Sequence, residues 1–369
     1  MPSDESVISG PRPNIRGLTS AEATEILRES GLAARARSLP TVVYQGVHRT
    51  RFERITDIPG TNPQKLAAAA SLLDDASLEL VECIESWDRS ARYVFRCSDG
   101  SLVESVRLHH HGLWTVCVSS QAGCAMACRF CATGEMGLKR DLLAWEIVDQ
   151  VLQVGRRSGV RISDIVFMGM GEPLMNERHV YQAAAVMTDA HGLQISPKRI
   201  TISTSGVVPA IHRFIDDRRP YRLVFSLGAA VPEKRAALMP VARSFDFDAF
   251  VSAVRRYEEH RRRKHVTLEY VAIKNVTMGE DDEAALAALH ASGLRFILNV
   301  IPLNPIGNEL EGPTMAETRA WTTRLRTIGF PIKVRYSGGK DRLSGCGQLG
   351  RALLARGDVV PTDVRLRGS

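Results

Sequence analysis

From Leu113 to Ile328 the sequence alternates short β-branched runs with longer amphipathic ones, and that alternation limits the fold more than any other feature. Period-two runs predict strands at Leu113–Ser119, Ile162–Met168, Arg199–Ser203, Tyr221–Leu227, His265–Ile273, Arg295–Leu303 and Pro331–Ser337. Helical periodicity fills the gaps, roughly over Asp141–Arg156, Asn176–Ala190, Val207–Asp217, Phe247–Arg262, Glu280–Ser292 and Thr314–Ile328. Strands joined through helices run parallel, because each crossover returns the chain to the same edge. The expected fold class is α/β, a barrel or partial barrel of about six βα units, (β/α)6. Loops after the strands of such a sheet share one end, the functional face. The unusual segments all fall there: the cysteines at 124–131, Gly169–Pro173, Ser203–Gly206, Ser226–Gly228, Asn304–Pro305 and Gly338–Cys346.

The region before this alternation reads differently. Residues 1–17 are rich in Pro, Ser and Gly and read as a flexible arm. Thr19 and Glu22 form a capping box opening a helix that stops at Gly31, and Pro63–Asp74 reads as another helix, so 18–92 is expected to be a helical accessory domain. A β-meander leads in over 93–112, with runs at Tyr93–Cys97 and Ser101–Leu108 before Leu113–Ser119. If Leu108 faces Leu113 across a four-residue loop, Glu104 stands opposite Cys117 on one sheet face. The core then spans 113–345, and 346–369 carries a cysteine loop and a last helix. The longest mostly apolar stretch, Leu66–Leu73, is far shorter than the ~20 residues a bilayer needs, so no membrane segment and a cytoplasmic location are expected.

Seven cysteines, three of them packed as CxxxCxxC at Cys124, Cys128 and Cys131, suit metal or catalytic thiolates better than a secreted disulfide framework. Two centres are open on spacing alone. Zinc would need a fourth ligand from elsewhere. A 4Fe-4S cluster on three thiolates would keep one iron free for a ligand. Gly169-Met170-Gly171 is no dinucleotide fingerprint, because Leu174 stands where the third glycine belongs. The net charge of +7 favours polyanionic partners. Arg255, Arg256, Arg261, Arg262, Arg263 and Lys264 read either as a solvated helix end or as an RNA phosphate track. His109-His110-His111 reads as a turn near an RNA entrance, while Cys83 and Cys97 are assigned to packing.

The wider text is more specific. Val116–Gly134 reads VCVSSQAGCAMACRFCATG, Val166–Asn176 reads VFMGMGEPLMN, Thr201–Pro209 reads TISTSGVVP and Ser344–Leu349 reads SGCGQL. Together, from about Glu104 to Gly350, these resemble the RlmN family, radical S-adenosylmethionine (SAM) enzymes that methylate adenine C2 in RNA. The resemblance implies a radical-SAM partial barrel, with Cys124, Cys128 and Cys131 holding a 4Fe-4S cluster. It implies SAM contacts at Gly171, Glu172, Ser203, Ser226, Leu227, Gly228 and Asn304. It makes Cys346 the carrier of a methyl group taken from SAM, Cys117 the second catalytic cysteine, which releases product through a transient disulfide, and Glu104 the candidate base. The implied partners are an RNA substrate, rRNA first and tRNA second, and an external electron donor, with the protein a monomer. Two departures stand out: Gly228 replaces the family's usual His, and Tyr336–Asp341 replaces a Ser-Arg-Gly and acidic run. The competing readings are C8 methylation, a different radical-SAM product, and a zinc-containing RNA-binding protein without catalysis.

Overall fold

Seven apolar runs become neighbouring parallel strands in the computed structural model, which describes residues 12–49, 52–261 and 264–359. In chain order the strands are β1 (Glu79–Glu85), β2 (Ala91–Arg96), β3 (Leu102–His110), β4 (Leu113–Cys117), β5 (Gln121–Gly123), β6 (Leu138–Asp141), β7 (Asp164–Phe167), β8 (Ile200–Thr204), β9 (Arg222–Gly228), β10 (Val266–Ala272), β11 (Phe296–Pro302) and β12 (Ile332–Val334). Ten of them form one sheet, ordered β1-β2-β3-β4-β7-β8-β9-β10-β11-β12, and every pairing from β4 onward is parallel. β8 is buried along its whole length, as expected of a strand covered on both faces. The helix Ala144–Ser158 lays Ile147, Val151 and Val154 onto the sheet, and Phe167, Phe225, Phe250 and Phe296 fill the core. The ladder leaves β1 and β12 at opposite edges.

The β-meander is real but its register is not the expected one. His111 (φ 47) and Gly112 (φ 75) both take the left-handed conformation of a tight two-residue turn, so His110 pairs with Leu113. Cys117 therefore faces Val106 rather than Glu104, which lies one same-face position further along β3. β1 also lies inside the stretch expected to be helical, and it leaves Cys83 exposed; only Cys97 is buried in packing.

The helices Ser20–Glu29, Leu39–His48 and Pro63–Leu72 close around a separate apolar core that includes Leu27, Val43, Val47 and Leu66. The capping box at Thr19 and Glu22 is formed. Arg16 docks this unit: its Nε lies 2.9 Å from Asp149 Oδ1, with neither side chain exposed. Nearby, burial pushes the His48 imidazole down to about 4. The unfolded chain then binds more protons between pH ~4 and ~6.5, so stability present above the unfolded value is lost as pH falls through that window, by about 3 kcal/mol in all. Melting curves across that range should show a steeper loss for wild type than for His48→Phe; parallel curves would contradict a neutral buried imidazole.

Candidate functional site

The cysteine loop is clamped at its root. β5 and β6 form a short antiparallel ribbon, and Cys124 N donates to Gly137 O at 2.9 Å where the loop closes. Cys124, Cys128 and Cys131 are free thiols, and burial together with their mutual repulsion pushes Cys124 and Cys128 well above the usual thiol value. Among the described residues no three His, Cys, Asp or Glu side chains converge as donors to one ion. A single zinc needs all its sulfurs ~2.3 Å from one point, whereas a multi-iron cluster takes each thiolate on its own iron. The loop supplies three neighbouring thiols on which either centre would draw, with a fourth donor still needed for zinc. A fully buried guanidinium, Arg235, lies within electrostatic reach of Cys128 with Nε unpartnered. Its positive charge suits an anionic cluster there.

The strand ends line up beside this loop. Glu172 follows Gly171 and is 3% exposed; its carboxylate accepts from Ser205 N at 2.7 Å and from Leu174 N at 3.0 Å. Burial raises its pKa, and the Ser205 hydrogen bonds oppose that rise. Ser226, Glu269 and Asn299 stand side by side across β9, β10 and β11. Ser203 Oγ lies 3.4 Å from Ser226 Oγ and donates to Glu269 at 3.2 Å. Leu227 is buried, its carbonyl taken by Arg235. Gly228 has φ 69, and a Cβ there would meet Met239 Sδ at 2.4 Å. Met239 is a flexible side chain that can shift, so it is the left-handed backbone at Gly228 that disfavours a larger residue.

Cys346 reaches the site because four segments hold its loop. Ala132 N donates to Gly347 O at 2.7 Å, Asn304 Nδ2 to Cys346 O at 3.0 Å, Ser337 Oγ accepts from Cys346 N at 3.2 Å, and Gly350 N donates to Glu104 Oε2 at 2.8 Å. Arg335 Nη2 lies 2.6 Å from Cys346 Sγ, and the sulfur raises the guanidinium's pKa. Nη1 of the same residue sits 3.6 Å from Glu269. Cys117, at the end of β4, is pushed up to about 12 by burial, with Cys346 adding to the rise and Arg335 opposing it. The two cysteines and Arg335 thus share one electrostatic neighbourhood. Glu104 is less free than expected of a base: it is fully buried, with Oε1 2.9 Å from Arg92 and Oε2 on the Gly350 amide. Burial raises its pKa and Arg92 counteracts that.

Two expected features lie elsewhere. The helix Phe247–His260 runs back along the sheet and ends just before β10, placing Arg255, Arg256, Arg261 and Lys264 at the opposite end from the cysteines. Arg256 is paired with Asp216 at 2.5 Å and Arg255 donates to Ser292 Oγ at 3.0 Å; Arg262 and Arg263 lie outside the described residues. The His109–His111 turn precedes β4 and is likewise at that far end, not at an entrance to the site. Arg335, Glu269, Asn299 and Arg235 are site residues that motif reading passed over.

Comparison with known proteins places these motifs in context. Residues 118–288 match the model of the Radical SAM superfamily. The chain is 39% identical over 361 residues to a Myxococcus xanthus protein named dual-specificity RNA methyltransferase RlmN 1, covering 95% of this chain and 96% of that one. It is 45% identical over 285 residues to a probable RNA methyltransferase of an Anaeromyxobacter species, covering 76% and 83%. The crystal structure of a radical SAM methyltransferase from Sphaerobacter thermophilus aligns with a TM-score of 0.86 at 33% identity, over 92% of this chain and 99% of that one.

Proposed function

Because the chain belongs to the RlmN family of radical-SAM RNA methyltransferases, we propose that it methylates C2 of an adenosine in large-subunit rRNA, with tRNA a second substrate, through a methyl group carried on Cys346. The observation that carries this reading is the Cys346 sulfur held 2.6 Å from the Arg335 guanidinium beside buried Cys117. Adenine C2 is electron-poor and has no acidic proton, so it cannot itself displace a sulfonium methyl. A 4Fe-4S cluster and SAM, when bound, supply a transferable methyl and, on reduction by an external donor, a carbon radical able to take a hydrogen atom from an unactivated C–H.

The chain's own residues do the rest. Cys346 takes the methyl by displacement, a thiolate being the competent nucleophile. After hydrogen abstraction the carbon on Cys346 bonds to C2, joining protein to RNA and leaving an odd electron in the ring; as the C2 proton is removed that electron would pass to a one-electron acceptor, a capacity that a cluster held by Cys124, Cys128 and Cys131 would supply. Glu104 is the proposed base for the C2 proton; taking it requires release of the Gly350 amide, which would couple proton removal to movement of the Cys346 loop. Cys117 then attacks the Cys346 sulfur. The S–S bond forms, the S–C bond breaks, and the released carbon takes a proton to become the product methyl. An external reductant reopens the disulfide for the next turnover. Asn304 and Ser337 hold the Cys346 backbone in place meanwhile.

The test is nucleoside mass spectrometry after anaerobic reconstitution with iron and sulfide and incubation with reductant, methyl-deuterated SAM, rRNA and tRNA. The expected product is 2-methyladenosine retaining two label deuteriums, one having been abstracted. Three retained deuteriums would rule out the methylene route, and retention as the C8 isomer would overturn the position.

A further inference from the structure

Arg235 sits where a guanidinium is hard to keep. Within the helix Pro232–Leu238 its side chain is 1% exposed. Nη1 donates to the carbonyls of Ser226, at 2.7 Å, and Leu227; Nη2 donates to Ser205 O at 2.7 Å. The guanidinium carbon stands 4.1 Å from the Phe250 ring centroid. All these partners are neutral, Nε has none, and among the described residues no carboxylate pairs with it. Burial lowers its pKa to about 10, which leaves it charged at neutral pH. A buried charge without a counter-charge is strongly disfavoured.

The group within its reach is the cysteine loop. Arg129 N donates to Leu238 O at 2.9 Å, tying that loop to the end of Arg235's own helix. Met239, whose Sδ lies 3.3 Å from Nη1, packs in the apolar cluster that contains Cys124, Met126 and partly buried Cys128 and Phe130. Three thiolates on a 4Fe-4S core leave a net negative charge, which grows by one on reduction, and such charge is a determinant of reduction potential.

Resting on the reading of Cys124, Cys128 and Cys131 as cluster ligands, we propose that Arg235 is the buried counter-charge of the cluster, a positioning residue whose fixed positive charge favours the reduced state. Its hydrogen bonds to three strand-end carbonyls hold that charge in place.

The test compares reconstituted full-length wild type with Arg235→Gln, Arg235→Met and Arg235→Lys, by redox titration of the cluster followed by electron paramagnetic resonance. Iron and sulfide content are measured on the same samples. The expected result is that the neutral variants, loaded with iron, are about tenfold harder to reduce, a potential ~59 mV lower for a one-electron couple, while Arg235→Lys stays close to wild type. A neutral variant that is folded, loaded and has the wild-type potential overturns the proposal and leaves the cluster reading standing. Lys falling as far as Gln overturns it too, because geometry rather than charge would then be at work. Failure of all three variants to fold marks Arg235 as a structural clasp and also overturns it. A wild-type protein that takes up no iron removes the cluster reading itself.

Discussion

Replacing Cys117 by Ala should leave the protein covalently joined to its RNA. In the proposed sequence Cys346 forms the bond to the base and Cys117 breaks it, so the two deletions have opposite signatures. With Cys346→Ala neither methylated RNA nor an adduct forms, and activity is lost to background. With Cys117→Ala the first half-reaction runs, and an RNA–protein band survives denaturing electrophoresis until nuclease digestion; methylated product falls by several orders of magnitude. The double variant should resemble Cys346→Ala. A Cys117→Ala protein that turns over normally would mean that Cys117 is merely a strand residue packed inward, the ordinary fate of a lone cysteine.

The same step sets a pH dependence. Burial and the neighbouring Cys346 push Cys117 up to about 12, so near neutral pH it is a thiol. Because its folded pKa is raised, the thiolate fraction climbs about tenfold per unit as pH approaches that value from below. The lifetime of the adduct in the wild-type protein should therefore shorten with rising pH wherever release is the slow step. Quenched time points at two alkaline pH values measure it directly. An adduct lifetime that is independent of pH would assign the slow step to proton removal at C2 or to an earlier event.

The sequence disclosed the parallel strands because a strand covered on both sides carries a continuous apolar run, as in Ile200–Thr204 and Phe296–Pro302. β1 was hidden for a different physical reason: it is an edge strand with no fully buried residue, and Glu79, Glu82 and Glu85 interrupt the apolar Leu80, Val81, Cys83 and Ile84. The hairpin register turned on the unread chemistry of a His-Gly turn, and a shift of two residues moved Glu104 away from Cys117 while keeping both on one face. The cysteine motifs were legible as text, but the groups surrounding them were not. Arg235 and Arg335 look like surface cations in the sequence and are drawn inward by partners brought near only by folding: three carbonyls for one, Cys346 and Glu269 for the other. Glu269 did leave a trace, a lone carboxylate inside the apolar run Val266–Ala272, and such a residue in a buried strand is a functional candidate. Gly228 was visible as a departure, but the left-handed backbone it adopts against Met239 was not.

Arg335→Met should separate methyl capture on Cys346 from everything downstream. The 2.6 Å contact between Nη2 and Sγ is a charge-assisted hydrogen bond, which holds the sulfur in one orientation and places a fixed positive charge against it. Bonds of this kind contribute about 1.5–3 kcal/mol, so their loss in the displacement step corresponds to about a 10- to 100-fold slower methylation of Cys346. Peptide mass spectrometry of the variant after incubation with SAM and reductant should show Cys346 largely unmethylated at times when wild type is fully loaded. Arg335→Lys keeps the charge but not the planar fork that bridges Cys346 and Glu269, and an intermediate rate is expected. Slow loading with a normal rate once the methyl is in place would locate the role of Arg335 at the sulfur. A Met variant that loads Cys346 at the wild-type rate would show instead that the guanidinium braces Glu269 and the Ser203–Ser226 row, and that Cys346 needs no cation to act.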